Sequence, residues 1–315
     1  MARAELPPAR SVWTATSAGQ PQARVRLLGD AIVFACPGMR NTTQRHAATL
    51  LCSTDGQALQ ARCQGHTVQA PALLIAPMAC KTVDALDRPL LLIDLEPGHP
   101  HYRHFQALAA PGVQALHGAP LAALQALGRA FAAGRLQGQA VDAQVREAVA
   151  AGAHQLPQPK PLDPRVRKLM CLLDEDPGAE LERLAPLLGL SAHHASRLFH
   201  QGLGLPLRRY ALSIKIRAAA SFMGSGLALT QIAQAAGFVD SAHFAKVWAQ
   251  NYGAAPSRFF DTANTHIDQT DQPDWLLWYL AQRDRDLPPP APGAQTPWVH
   301  RRRTPRTPRL RTAAP

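Results

Sequence analysis

The stretch Ile232-Ala-Gln-Ala-Ala-Gly237-Phe-Val-Asp-Ser-Ala-His-Phe-Ala-Lys-Val-Trp248, followed by Gly253 and Pro256, decides the fold of the C-terminal third. Its grammar recurs upstream as Leu184-Ala-Pro-Leu-Leu-Gly189-Leu-Ser-Ala-His-His-Ala-Ser-Arg-Leu-Phe199, followed by Gly204 and Pro206. In each copy an aliphatic residue and an alanine open the pattern, and a glycine follows five residues after the aliphatic one. The small Ala185 and Ala233 let a second helix cross closely. Gly189 and Gly237 supply the left-handed backbone that ends a first helix. Ser191 and Asp240 then stand where a side chain caps a second helix by accepting from its free N–H groups. This is a helix–turn–helix, with the second helix free to enter a DNA major groove. One copy alone would fit an αα-hairpin in a helical bundle equally well. Two copies, 48 or 49 residues apart, favour tandem units at about 180–204 and 229–253.

Outward from the repeat, the chain reads as helix from Leu162 to Phe260. Asp163-Pro164 restarts helical structure with an N-cap and a proline at the first helical position. Val166, Leu169, Met170 and Leu173 follow at helical spacing. A connecting helix of roughly Leu207 to Met223 joins the two units.

These residues resemble the DNA-binding region of the AraC/XylS family of bacterial transcription regulators, over about 162–260. The likeness is strongest in Ile232-Ala-x3-Gly237-Phe-x-Asp-Ser-x-x-Phe244-x-Lys-x-Trp248-x4-Gly253-x-x-Pro256. Tyr210, Lys215, Ala219, Phe222 and Met223 follow the family's connecting-helix pattern. The resemblance implies a sequence-specific regulator, activator or repressor, with double-stranded DNA as its partner and an all-α, homeodomain-like double module. Mapped through the motif, His193, Ser196 and Arg197 share one face of the first recognition helix. Ser241, Ala242, His243 and Lys246 take the matching places on the second, while Phe199, Phe244 and Trp248 face inward. Arg197 and Lys246 are equivalent, and either can donate to guanine or hold a phosphate. Three positions depart from the family. Pro186 interrupts the first helix of copy one, Ala195 stands where Leu is usual, and Lys215 replaces an Arg and so loses a bidentate contact. The first unit is therefore expected to be the weaker.

Residues 24–96 read differently, as short strands. Arg24–Leu28 and Ala31–Ala35 flank Gly29-Asp30, and Ala48–Thr54 and Gln57–Cys63 flank Asp55-Gly56, both two-residue hairpin signals. Val68–Pro77 and Pro89–Leu95 add apolar runs. Together they predict a small β-barrel or sandwich, followed by Ala-rich helices after about residue 100. The chain is thus expected to be an α+β two-domain protein. Residues 1–23 form an extension, 24–154 a β-rich sensor or dimerisation domain, 155–161 a Pro-rich linker and 162–260 the DNA-binding domain. Residues 261–315 are expected to be a largely disordered Pro/Arg-rich tail, within which Trp275–Leu280 could pack locally.

The family usually joins its module to a cupin-like domain, which implies a small effector in the N-terminal half and a homodimer formed through it. The alternative is a cupin-type metalloenzyme fused to a DNA-binding module. That needs clustered His and a carboxylate on facing strands. Only His46 and His66 fall on candidate strands, with Cys80-Lys81 where a late barrel His would sit. His99, His101 and His104 come after the strands and read as surface. No metal, cofactor or catalytic residue is therefore expected.

Composition agrees without deciding. A net charge of +11 favours polyanionic partners, DNA or an anionic membrane surface. The excess is spread along the chain, including the final Arg301–Arg311 run, which reads as a solvated tail able to add non-specific DNA affinity. Five cysteines (Cys36, Cys52, Cys63, Cys80, Cys171) form no CxxC pair, so buried free thiols are expected rather than zinc or disulfides, with a thiol sensor as the alternative. No run reaches the roughly 20 apolar residues of a membrane span, and Met1–Gln20 lacks the apolar core of a secretory signal. A cytoplasmic location is expected.

Overall fold

The computed structural model describes residues 12–13 and 23–268. Eleven strands of the N-terminal part make two antiparallel sheets. They are β1 (Val12–Trp13), β2 (Ala23–Leu28), β3 (Ala31–Cys36), β4 (Met39–Gln44), β5 (Ala48–Ser53), β6 (Leu59–Cys63), β7 (His66–Ala70), β8 (Ala72–Ile75), β9 (Cys80–Ala85), β10 (Leu90–Leu95) and β11 (Val113–Ala115). The smaller sheet runs β1-β4-β9-β6-β7, and the larger runs β11-β8-β5-β10-β3-β2 with one more strand at its edge. The sheets face each other but are not joined by strand pairing, so the expected barrel is an open sandwich. In β3, β5 and β10 every residue is buried. One face of these strands meets the opposite sheet. The other is covered by α1 (Tyr102–Gln106), α2 (Ala119–Ala132) and α3 (Gln139–Ala153). That two-sided burial explains why these strands are continuous apolar runs rather than alternating ones.

Of the two expected hairpins, one forms. Gly29-Asp30 joins β2 to β3 with Leu28 opposite Ala31. Asp55-Gly56 instead carries the chain from one sheet to the other. Both edges of β5 are taken by β8 and β10, and those of β6 by β7 and β9. The wholly buried β5 is a central strand, whereas β6 alternates and keeps one face to solvent, so burial overrode the turn signal. The tight hairpin lies at Gln64-Gly65, where both residues take positive φ, 49° and 81°.

The C-terminal part is α4 (Pro164–Glu175), α5 (Leu181–Leu184), a 3₁₀ turn Ala185–Leu188, α6 (Ala192–Leu203), α7 (Leu207–Ala220), α8 (Leu229–Ala235), α9 (Ser241–Tyr252) and α10 (Pro256–Phe260). Asp163 caps α4 by accepting from the Arg165 N–H at 2.8 Å. Pro186 acts as expected: α5 stops after one turn and continues only as the tighter 3₁₀ form. The connecting helix α7 ends at Ala220, three residues early. Phe222 and Met223 are buried in the turn beyond it.

Residues 261–268 are not tail. They return to the N-terminal domain, where β12 (Thr265–Ile267) pairs in parallel with β2, Thr265 opposite Ala23. The remainder of the expected tail, with Trp275–Leu280 and the basic run, lies outside the described residues, as does most of the 1–23 extension. Two apolar cores result. The inside of the sandwich is continuous with α8, α9 and α10. The covered outer face of the larger sheet is continuous with α4, α6 and the first half of α7.

Candidate nucleic-acid interface

Both repeats form the predicted turn. In the second, Ile232 and Ala233 are buried on α8, and the Ala228 N–H donates to the Gln231 side chain at 3.1 Å. Gly237 takes φ 74°, and the Asp240 carboxylate accepts from the His243 N–H at 2.6 Å to open α9. Lys215 of α7 donates to the Gly237 carbonyl at 2.8 Å. The lysine thus keeps one hydrogen bond from connecting helix to turn where an arginine would make two, and burial pulls its pKa below the usual lysine value. In the first repeat Gly189 takes φ 67° and Ser191 caps α6 by accepting from the His194 N–H at 3.3 Å.

The two units differ in their cores. Trp248 is enclosed by Phe244, Tyr252, Phe259 and Phe260 with ring centroids 4.5–5.7 Å apart. The first unit has Phe199 edge-on to Tyr210 at 5.4 Å, and a buried Ala195 where the second has Phe244. Aromatic pairs add to area burial, so the second unit is the better packed.

The residues expected to meet DNA stay outside these cores. His193, Ser196 and Arg197 are exposed on α6, and Ala242, His243 and Lys246 are exposed on α9 with Ser241 half-buried. The His243 ring rests edge-on against Phe238 at 5.6 Å. Arg208 and Arg209, at the start of α7, are also exposed. The motif did not single them out because they precede the connecting-helix pattern.

The far ends of both recognition helices meet the N-terminal domain, at equivalent glycines. Gly253 has φ 79°, and a Cβ there would lie 3.0 Å from Asn41 Cβ and Thr43 Cγ2 of β4. Gly204 has φ 70°, and a Cβ there would lie 2.7 Å from Gln106 Nε2 of α1. Beside Gly204, Arg103 donates to the Gly202 carbonyl at 3.0 Å. Beside Gly253, the His46 N–H donates to Asn251 Oδ1 at 3.3 Å, and the His46 carbonyl accepts from Tyr102 Oη at 3.0 Å. Arg45 stacks over Tyr252 and is ion-paired with Asp94, whose other oxygen accepts from Thr49 Oγ1 at 2.7 Å.

The histidines correct the sequence reading. His99 and His104 are buried and His101 half-buried, with ring centroids 5.8 and 5.4 Å apart in succession. They were expected on the surface because nothing local shows that α6 and the linker fold over them. The His104 ring hydrogen-bonds Gln158 at 3.2 Å. His46 is buried in the turn between β4 and β5, whereas His66 is exposed at the start of β7, and Lys81 is buried on β9. Among the described residues no group of three or more His, Cys, Asp or Glu is placed to hold a metal ion. The five cysteines are all free, and only Cys171 is exposed.

Residues 184–262 match a family model described as a helix-turn-helix domain. The C-terminal module is an AraC-type helix-turn-helix domain. Solved structures of ToxT from Vibrio cholerae share the fold of the AraC-type module together with its N-terminal partner. An apo variant from strain SCE256 is 15% identical at TM-score 0.50, covering 76% of this chain and 96% of that one. The wild type of that strain with unsaturated fatty acid bound is 11% identical at TM-score 0.50, covering 74% and 95%. ToxT from strain O395 bound to (E)-4-(8-methylnaphthalen-1-yl)but-3-enoic acid is 14% identical at TM-score 0.50, covering 77% and 99%. No curated protein matches the chain. With the AraC-type module on its sandwich partner, the chain is a DNA-binding transcription regulator. The metalloenzyme alternative has no support: His46 is buried in a turn while His66 is exposed on β7.

Proposed function

We propose that one chain of this regulator reads two successive major grooves, with His193, Ser196 and Arg197 in one and Ser241, Ala242, His243 and Lys246 in the next. The observation that carries this reading is the pair of capped helices, α6 and α9, each exposing its contact face, in two units linked by the 14-residue α7. At 1.5 Å per residue α7 is about 21 Å long, and half the width of a flanking helix at each end, about 5 Å each, brings the axis-to-axis spacing to about 31 Å, close to a DNA turn of about 34 Å. The site then covers roughly 15–20 base pairs without a palindrome. A homodimer through the N-terminal domain would double that site. The regulator works in the cytoplasm, where its DNA is, and performs no catalysis.

Control by a small effector is part of the same reading. A narrow seam with a void of only about 20 Å³, room for about one water, lies between the sandwich and the second unit, walled by Val25, Ile32, Phe34, Met223, Tyr252 and Phe259, with Arg45 and Asp94 at its polar end. Lys81 is buried near this end, so two cations face one carboxylate. An apolar molecule with an acid group would match this lining once the walls part to admit it, and the ToxT ligands are both carboxylic acids. Its occupant would lie directly against the end of α9.

The test is Arg197→Ala and Lys246→Ala with methylation interference on a bound site. Each should weaken contacts about ten base pairs apart by roughly 1–3 kcal/mol if a base is read, or lower affinity evenly across sequences if a phosphate is held. Protection of one groove segment alone, or a strict need for inverted half-sites, would defeat the tandem reading.

A further inference from the structure

Histidine rings lie buried along the contact between the domains. The backbone N–H and carbonyl of His46 join the turn after β4 to Asn251 of α9 and to Tyr102 of α1, with the His46 ring buried beside them. His99, His101 and His104 stack along the start of α1, which holds the end of α6 through Arg103 and Gln106. His154, at the end of α3, faces His101. His46 Nε2, His101 Nδ1 and His104 Nδ1 are buried with no hydrogen-bond partner. For His46 and His101 burial favours the neutral ring, since a buried, unpaired imidazolium is costly.

We propose that this seam is a proton-operated latch: acidification charges His46, His99 and His101 and frees the ends of both recognition helices from the N-terminal domain. The freed module remains tethered by β12 on β2, so the change is a loosening and not a dissociation.

The charges around the seam set the sign. His46 faces Arg209 of α7, and burial with that cation brings its pKa down to about 4. His101 is lowered by burial and by His104 and His154. His99 is lowered by burial, although Asp30 in the β2–β3 turn pulls the other way. For each, the docked pKa lies below the free value of about 6.5, so docking is unaffected above that pH and is lost progressively as pH falls through it. The opening constant should rise about tenfold per pH unit for His46 alone. Glu96 opposes one histidine. This carboxyl faces Arg217, Asp94 and Asp30, and burial raises its pKa to about 7, so the docked state takes up that proton first.

Hydrogen exchange of the full chain tests the latch between about pH 7.5 and 5, with rates corrected for intrinsic pH dependence. DNA affinity is the wrong readout, since it also reports every direct effect of pH on the DNA contacts themselves. Amides of α1, of the turn holding His46 and of the last turns of α6 and α9 should lose about tenfold or more in protection per pH unit below about 6.5. Those of β5 and β10 should hold. His46→Gln and the pair His99→Gln/His101→Gln should each flatten the response, and Glu96→Gln should steepen it. Seam protection that falls only together with the central strands, or a wild-type profile in all of these variants, overturns the proposal. Failure of the DNA-contact variants to alter binding would leave it untouched.

Discussion

Gly253 and Gly189 offer a controlled measurement of how tightly the second unit is docked. Both have left-handed backbone, φ 79° and 67°. Replacing either with alanine therefore costs about 1–2 kcal/mol from the backbone alone. At Gly189 nothing lies within 4 Å of the new methyl group, so that is the whole cost. At Gly253 the methyl meets Asn41 Cβ and Thr43 Cγ2 at 3.0 Å. Neither atom is the loose end of a long side chain, because each is fixed to β4 within the sheet. Forcing a methyl into that space adds about 1–3 kcal/mol, the usual cost of overpacking. Gly253→Ala should thus be the more destabilising of the two by about 1–3 kcal/mol. Gly204→Ala should fall between them, since its contact is the flexible end of Gln106. Urea unfolding of the three variants, with m-values compared to confirm a common transition, reads the difference. Equal costs at Gly189 and Gly253 would mean that α9 does not press on β4 in solution, and the seam would lose its main geometric support.

Two further outcomes follow from the buried charges. Lys81 is 4% exposed, and burial, aided by Arg45, lowers its pKa to about 7. Its folded pKa lies below the unfolded one, so stability should be gained as pH rises from about 7 towards 10.5, by up to about 1.4 kcal/mol per unit. Lys81→Met should be more stable near neutrality and lack that slope; parallel pH profiles would show that the amine is hydrated. Arg45→Met strands the Asp94 carboxylate and should cost about 3–5 kcal/mol in thermal or urea unfolding, with Asp94→Leu in the same chain recovering much of it. No recovery would show that Arg45 acts by packing on Tyr252 instead.

The helix–turn–helix units were legible because their physics is local. A left-handed glycine, a capping Ser191 or Asp240 and a small Ala185 or Ala233 act within a few residues of one another. Even the defect at Pro186 could be read, since a proline removes a hydrogen bond one turn away. The sandwich was legible in its buried strands but not in its pairing. β4 and β9 escaped notice because Met39–Gln44 and Cys80–Ala85 are half polar, their outer faces being wet. Asp55-Gly56 was a sound turn signal, but which strand lies beside β5 is settled by partners far along the chain. The seam was illegible for the same reason. Arg45, His46, His99 and His104 are polar residues near turns, and only contact with α6, α7 and α9 makes them buried.

The parallel pairing of β12 on β2 also bears on how the chain is made. Strand β2 emerges from the ribosome early, and its outer edge has no partner until residue 265 has been synthesised. Until then the larger sheet carries an open row of backbone donors and acceptors, a template for pairing with other chains. Completion of the DNA-binding module and closure of that edge are therefore one late event in synthesis. A chain released before residue 265 would be left with both an incomplete sheet and an exposed, aggregation-prone edge.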